Sequence, residues 1–191
     1  MTTLTLNLNP IIKLTDEQFF QLSQENENIR LERAATGELI IMAPAGGETG
    51  SSNAGLTAQL WVWNQQNKLG KVFDSSTGFK LPNKADRSPD AAWIKLERWN
   101  ALTAEQQKKF PPICPDFVVE LLSPSDSLPD TQAKMREYRD NGATLGWLIN
   151  RRSQQIEIYR PQQEIEILDQ PSQISGDPIL IGFVLDLASI W

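Results

Sequence analysis

The residues with the clearest chemical potential are two carboxylates and a lysine in the second half of the chain. Asp90 follows a Ser-Pro pair, Glu120 interrupts the apolar run Phe117–Leu122, and Lys134 lies in the segment after it. An ionised glutamate buried in such a run is strongly disfavoured unless a cation or a hydrogen-bond donor faces it. We therefore expect Glu120 to have a charged partner.

Periodicity indicates that Lys134 is that partner. Alternate residues of a strand share one face, so Glu120 points toward whatever covers its face. In the next segment Lys134, Met135 and Tyr138 recur at helical spacing, which places the lysine on the inward stripe of a predicted helix. Its ammonium can then lie beside Glu120 and satisfy that charge. The alternatives are a purely structural ion pair, or a lysine that extends to the rim.

A second carboxylate favours a metal site over a structural pair. Asp90 begins another predicted strand, and we expect it at the same end of the sheet as Glu120. Mg²⁺ that acts on phosphate substrates needs only one or two carboxylates, completed by waters and substrate oxygens, and a nearby lysine can stabilise developing charge. Pro-Asp is also a common turn sequence, however, and it recurs at Pro115-Asp116.

The composition removes the main competing chemistries. The chain of 191 residues has no histidine and a single cysteine, Cys114. Imidazole catalysis, an intramolecular disulfide and a cysteine-built zinc site are therefore excluded. The remaining carboxylate, hydroxyl, amide and lysine groups suit hard cations such as Mg²⁺ or Mn²⁺. The net charge of −6 argues against a large basic face for nucleic acid.

The elements that must position these residues are those of one α/β (α+β) domain over residues 1–191. A helix capped by Thr15 and a hairpin that turns at Gly37 open the chain. Residues 45–52 are predicted as a loop before the main N-terminal helix, which Asn53 would cap.

The second half of the chain predicts a mixed sheet. Strand, helix and strand over 117–122, 131–141 and 147–149 predict a right-handed parallel crossover. Alternating residues over 156–159 and 164–168 predict a C-terminal hairpin. No run approaches the ~20 apolar residues of a membrane span, and the first ten residues lack the pattern of a signal peptide, so we expect no membrane association and a cytoplasmic location.

The order of several motifs resembles that of a known family. A similar series occurs in the Uma family of restriction endonuclease-like proteins, and the resemblance covers Gly37–Met42, Ser88–Trp93, Pro115–Pro124, Lys134–Tyr138 with Gly142, and Trp147–Ile149. This resemblance implies the PD-(D/E)xK nuclease fold, in which a mixed central sheet flanked by helices carries an Asp, a second acid and a lysine at a divalent metal ion.

The resemblance also implies roles for individual residues. Asp90 corresponds to the motif Asp and Glu120 to the motif acid, both as metal ligands. The lysine of the general motif, two residues after the acid, is Leu122 here. Lys134 looks like its replacement, which would reach the same point from the following helix.

A further acid is implied at Glu48, in the predicted loop before the main N-terminal helix, where nucleases of this type often add one. Members of the family often follow it with a histidine, whereas this chain has Thr49. The alternative for Glu48 is a solvated loop carboxylate.

The predicted function is a Mg²⁺- or Mn²⁺-dependent endonuclease that hydrolyses phosphodiester bonds of nucleic acid, with DNA as the expected partner. One alternative is a nuclease-fold module that binds without catalysis, and another is a hydrolase of small phosphate esters, which better suits the acidic charge. Restriction-type nucleases usually cut two strands as dimers, so a homodimer through the apolar stretch Ile179–Leu185 is also expected.

Overall fold

Residues 3–191, which the computed structural model describes, form thirteen β-strands and five α-helices. The strands are β1 (Thr3–Leu6), β2 (Arg30–Arg33), β3 (Leu39–Met42), β4 (Gly70–Asp74), β5 (Phe79–Lys80), β6 (Asp86–Arg87), β7 (Ala91–Lys95), β8 (Phe117–Leu122), β9 (Leu145–Asn150), β10 (Gln155–Tyr159), β11 (Glu166–Asp169), β12 (Gln173–Ser175) and β13 (Val184–Asp186). The helices are α1 (Asp16–Glu25), α2 (Gly47–Asn67), α3 (Leu96–Asn100), α4 (Ala104–Lys108) and α5 (Leu128–Asp140). None of these helices is both long enough and apolar enough to cross a membrane.

The central sheet has six strands in the order β11-β10-β9-β8-β7-β4. Strands β8 and β9 run parallel and are separated in the chain by α5, as the sequence predicts. The other neighbours in this sheet are antiparallel, so the sheet is mixed. A second sheet, of order β1-β3-β2-β6-β5, is antiparallel and contains the predicted N-terminal hairpin of β2 and β3. Strands β10 and β11 form the predicted C-terminal hairpin.

Strand β8 is buried along its whole length because helices cover both faces of the central sheet. Phe117, Val119 and Leu121 pack in the core that includes the apolar stripe of α2. Val118 and Leu122 pack in a second core, together with residues of α5. A strand that is covered on both faces needs apolar residues at nearly every position, which explains the run that Glu120 interrupts.

The predicted loop at residues 45–52 is wrong, because α2 already begins at Gly47. Gly46 is the N-cap residue, and Asn53 lies inside the helix and does not cap it. Glycine and serine disfavour helix in isolation, but tertiary contacts override this preference. Ser52 is buried and donates a hydrogen bond from its hydroxyl to the carbonyl of Ile190 at 3.2 Å, which ties this turn to the C-terminus.

The apolar stretch Ile179–Leu185 contributes mainly to the core. Leu180, Phe183 and Leu185 are buried in the cluster on the α2 side of the central sheet. Ile181 and Val184 are the large exposed apolar side chains of this stretch. Core packing therefore accounts for most of the pattern on which the sequence-based expectation of a dimer rests.

Candidate active site

Asp90 lies at the end of the central sheet, immediately before β7. Ala91 pairs with Val119, so Asp90 and Glu120 are the next residues along two antiparallel strands. The backbone amide of Leu121 donates to the Asp90 Oδ2 atom at 2.8 Å. The Asp90 carboxylate is thus held beside the backbone that carries Glu120.

The other partners of Asp90 come from α2 and β2. Asn53 Nδ2 donates to Asp90 Oδ1 at 3.0 Å. The only cation in an ion pair with Asp90 among residues 3–191 is Arg30, whose Nη1 lies 3.8 Å from Oδ1. Asp90 is 6% exposed, so this distant cation leaves a buried carboxylate short of positive charge.

Lys134 stands between two carboxylates. Its Nζ lies 2.9 Å from Glu120 Oε1, the contact that the strand and helix periodicities predict, and 2.8 Å from Glu32 Oε1. The ammonium also donates to the carbonyl oxygen of Ser88 at 3.3 Å. The Tyr138 hydroxyl, one helical turn further along α5, donates to Glu120 Oε1 at 3.1 Å. Glu120 therefore faces α5, as its position in the strand requires.

Glu32 is the site residue that the sequence-based prediction missed. It is 2% exposed and accepts hydrogen bonds from the Ser88 amide at 2.9 Å and from Arg87 Nη1 at 3.1 Å. Arg87 also donates from Nε to Glu137 on α5 at 2.6 Å. Glu32 belongs to the second sheet, so its approach to Lys134 depends on how the two sheets meet, which no local pattern encodes. The only signal in the sequence is a glutamate among buried positions of a short strand.

The pKa values of the two glutamates that share Lys134 are shifted in opposite directions. Burial raises the pKa of Glu120 to about 7, and the charges of Asp90 and Glu32 raise it further against the lowering effect of Lys134. Burial also raises the pKa of Asp90, against the Leu121 amide. For Glu32 the charges of Lys134 and Arg87 outweigh the effect of burial and lower the pKa. The surroundings therefore favour the charged form of Glu32 and disfavour that of Glu120 beside Asp90.

The side chains around Asp90 fit a hard divalent cation. Asp90 and Glu120 offer carboxylate oxygens, and Asn53 Oδ1 is buried with no hydrogen-bond partner among the described residues. An amide oxygen of this kind is satisfied by a metal ion or by a water bound to one. Within residues 3–191 no group of three or more His, Cys, Asp or Glu side chains is arranged to hold a metal ion. Waters and phosphate oxygens would complete the coordination, as Mg²⁺ sites commonly require.

Glu48 lies on α2, the helix that also carries Asn53. It is exposed in the first turn of α2 and not in a loop, because the helix begins earlier than predicted. Among the described residues it makes no hydrogen bond or ion pair with Asp90, Glu120 or Lys134. An acid in the first turn is favoured by the helix dipole whatever its role.

Comparisons with known proteins agree with this fold and identify the family. No curated protein matches the chain. One solved structure with a similar fold is "a putative nuclease belonging to DUF820 from Anabaena variabilis ATCC 29413", with 20% sequence identity, coverage of 93% of this chain and 97% of that chain, and a TM-score of 0.76. This likeness confirms the predicted mixed α/β architecture. Residues 16–188 match the Uma2 family, described as "putative restriction endonuclease". Because that match spans most of the chain, the protein belongs to the Uma2 family of restriction endonuclease-like proteins, which supports a nuclease-like function.

Proposed function

We propose that this protein is a metal-dependent endonuclease of the PD-(D/E)xK kind that hydrolyses phosphodiester bonds of DNA. The observation that carries the proposal is a pair of buried carboxylates, Asp90 and Glu120, that lack enough positive charge and lie beside a buried lysine. Structural ion pairs normally balance their charges, whereas this pair is balanced only when a further cation is present. Mg²⁺ or Mn²⁺ has the charge and the preference for oxygen ligands that such a site requires.

Each side chain has a distinct part in the proposed reaction. Asp90 and Glu120 would hold a divalent ion, which would supply Lewis-acid polarisation of the phosphoryl oxygen and activation of water. The Leu121 amide and Asn53 fix the Asp90 carboxylate, so little reorganisation is needed on binding. Lys134 offers its ammonium to the phosphoryl oxygens as negative charge develops on them.

Glu32 has a positioning role in this scheme. It accepts a hydrogen bond from the ammonium of Lys134 at 2.8 Å and, together with Glu120, raises the pKa of that lysine. Arg87 in turn holds Glu32 in place at 3.1 Å. If Glu120 turned toward a metal ion, Lys134 would still keep an anionic partner and would remain oriented.

A cleavage assay tests the proposal. Supercoiled plasmid and single-stranded DNA are incubated with Mg²⁺ or Mn²⁺, with wild type compared with Asp90→Ala and Lys134→Ala. The exposed residues Asp140 and Lys71 provide matched controls as Asp140→Ala and Lys71→Ala. We expect cleavage in wild type and both controls and none in the two site variants. Equal activity in all five proteins would overturn the assigned roles.

A nuclease-fold module that binds without cutting is the second candidate. Two observations favour it: no three His, Cys, Asp or Glu side chains among residues 3–191 are arranged to hold a metal ion, and the net charge is −6. Nucleic-acid binding that persists in EDTA, with no cleavage under any divalent ion, would support this candidate over the enzyme. Small phosphate esters included as substrates in the same assay test the hydrolase alternative.

A homodimer is a further part of the proposal, since cleavage of both strands is simplest with two active sites. Ile181 and Val184 are the exposed apolar side chains of the C-terminal stretch that such contact could use. Sedimentation of wild type and of Ile181→Ser tests it, with a monomer in both cases contradicting the dimer.

A further inference from the structure

A cavity of about 430 Å³ lies at the N-terminus of α2, close to the proposed metal site. Gly46, Gly47 and Thr49 line it on the helix side, and the segment that follows β8, including Ser123, lines it on the other. Thr49 and Asn53 are four residues apart and therefore share one face of α2. Since Asn53 donates to Asp90, the cavity begins about one helical turn from that carboxylate.

The helix end supplies unused hydrogen-bond donors to this cavity. The N-cap residue Gly46 has no side chain to accept from the first turn, and the first intrahelical bond runs from the Gly50 amide to the Gly46 carbonyl at 2.9 Å. The amides of Gly47, Glu48 and Thr49 therefore have no helical acceptor. A Cβ built at Gly46 or Gly47 would meet no atom within 4 Å, so the Cβ positions at this end of the helix face open space.

Thr49 provides an independent sign that a ligand belongs there. Its side chain is 5% exposed and lines the cavity, yet its hydroxyl has no hydrogen-bond partner among residues 3–191. Thr49 is the third residue of α2, so no earlier helical turn offers a carbonyl to its hydroxyl. The hydroxyl is accessible from the cavity, where an acceptor group of a ligand can replace water as its hydrogen-bond partner.

We propose that this cavity binds a phosphate group of the nucleic-acid strand, adjacent to the one that is cleaved. Helix N-termini bind phosphate through free amides and the positive end of the helix dipole, and the Thr49 hydroxyl adds a further donor. The location beside the scissile phosphate rests on the proposed nuclease function. The capacity to bind phosphate does not rest on it.

Two charged side chains at the rim act in opposite directions. Glu48 lines the cavity and repels an anion, but it is exposed and can turn toward solvent. Arg152 donates a hydrogen bond to the carbonyl of Pro124, which is also part of the lining, and so brings a cation to the other side of the rim. Glu48→Gln is therefore expected to tighten phosphate binding several-fold, and Arg152→Gln to weaken it.

The experiment is a titration of ¹⁵N-labelled protein with inorganic phosphate in EDTA, followed by amide spectra. We expect saturable shifts of the amides of residues 47–50. Thr49→Val preserves shape and should weaken binding roughly tenfold, as expected for loss of a hydrogen bond to a charged group. Thr57→Val on the same helix is the matched control, and Thr49→Ser, which keeps the hydroxyl, should retain binding.

Two further ligands distinguish the possible sources of the phosphate. A dinucleotide with an internal diester should shift the same amides if the subsite takes backbone phosphate, whereas a response only to a 5′-phosphorylated mononucleotide would overturn the backbone assignment. Absence of saturable shifts at residues 47–50, or equal affinity in wild type and Thr49→Val, would overturn the subsite itself. Because no metal or cleavage is involved, this outcome is independent of whether the protein is a nuclease.

Discussion

Two of the three Pro-Asp pairs in the chain lie at opposite ends of the same strand pairing, and their surroundings differ. Asp116, just before β8, is 3% exposed and accepts from the Lys95 amide at 2.9 Å and from Arg98 Nη1 at 2.9 Å. Asp90, just before β7, has the Leu121 amide and Asn53, with its paired cation at 3.8 Å. One carboxylate has a close cation and the other does not.

This difference shows that the set of partners, rather than the local sequence, distinguishes a structural carboxylate from a candidate ligand. Asp116 closes the end of the central sheet, and its backbone carbonyl also accepts from Thr144 and Leu145 at the start of β9. Asp90 lies near a second carboxylate, Glu120, which shares its one close cation, Lys134, with Glu32. A cation would stabilise the second arrangement and has no place in the first.

The largest expected effect is a difference in DNA cleavage between variants of Asp90 and Asp116. Asp90→Asn keeps the shape of the side chain but removes the negative charge, so metal-dependent DNA cleavage should fall roughly 10²-fold or more. Asp116→Asn should leave cleavage per folded molecule within about threefold of wild type, as its contacts lie outside the reaction. The check is to measure the turnover of each variant and to divide it by the folded fraction, which circular dichroism gives. Equal losses in both variants would remove the distinction.

The free energy of unfolding should change more in Asp116→Asn than in Asp90→Asn, the opposite order to cleavage. Asp116→Asn removes the ionic partner of the partly exposed Arg98 and should lower the free energy of unfolding by about 1 kcal/mol. Asp90→Asn relieves repulsion with Glu120 and should be neutral or stabilising without metal. Urea denaturation in EDTA gives both values, and a larger loss for Asp90→Asn would show that its carboxylate is structural.

The pH dependence of stability tests the raised pKa of Glu120. Its folded pKa of about 7 lies above the ordinary 4.5, so the folded protein holds a proton that the unfolded chain releases between these values. The associated stability is complete below about pH 4.5 and is lost as pH rises through 7. In EDTA, Glu120→Gln should therefore gain stability relative to wild type between pH 5 and pH 8, by on the order of 2 kcal/mol. A constant difference would contradict the raised pKa.

The smallest expected effect is at Glu48. Glu48→Gln removes an exposed charge that is not joined to the other site residues, so unfolding free energy should change by less than about 0.5 kcal/mol. Divalent-ion affinity should stay within about twofold. Calorimetric titration with Mn²⁺ measures the affinity, and a loss of tenfold or more would restore Glu48 as a ligand.

Some parts of this site follow from local periodicity and others do not. The contact of Lys134 with Glu120 follows from two local patterns. Alternation in the strand directs Glu120 toward the covering helix, and helical spacing directs Lys134 toward the strand. Glu32 could not be predicted, because its approach depends on the meeting of two sheets. The sequence predicts a helix cap at Asn53 because the glycines and serines before it are typical of a loop. In the structure Ser52 is buried and the helix begins before these residues end, at Gly47. The fold class and crossover were predictable, since they rest on long periodic segments.

The central claim is that Asp90 and Glu120 hold a divalent cation, and a calorimetric titration with Mn²⁺ tests it most directly. Wild type and Asp116→Asn should bind with similar affinity, whereas Asp90→Asn and Glu120→Gln should each lose at least about tenfold, as removal of a carboxylate ligand requires. Because Asp116→Asn lowers stability without touching the site, it controls for nonspecific loss. Undiminished Mn²⁺ binding in Asp90→Asn, or none in wild type, would contradict the account.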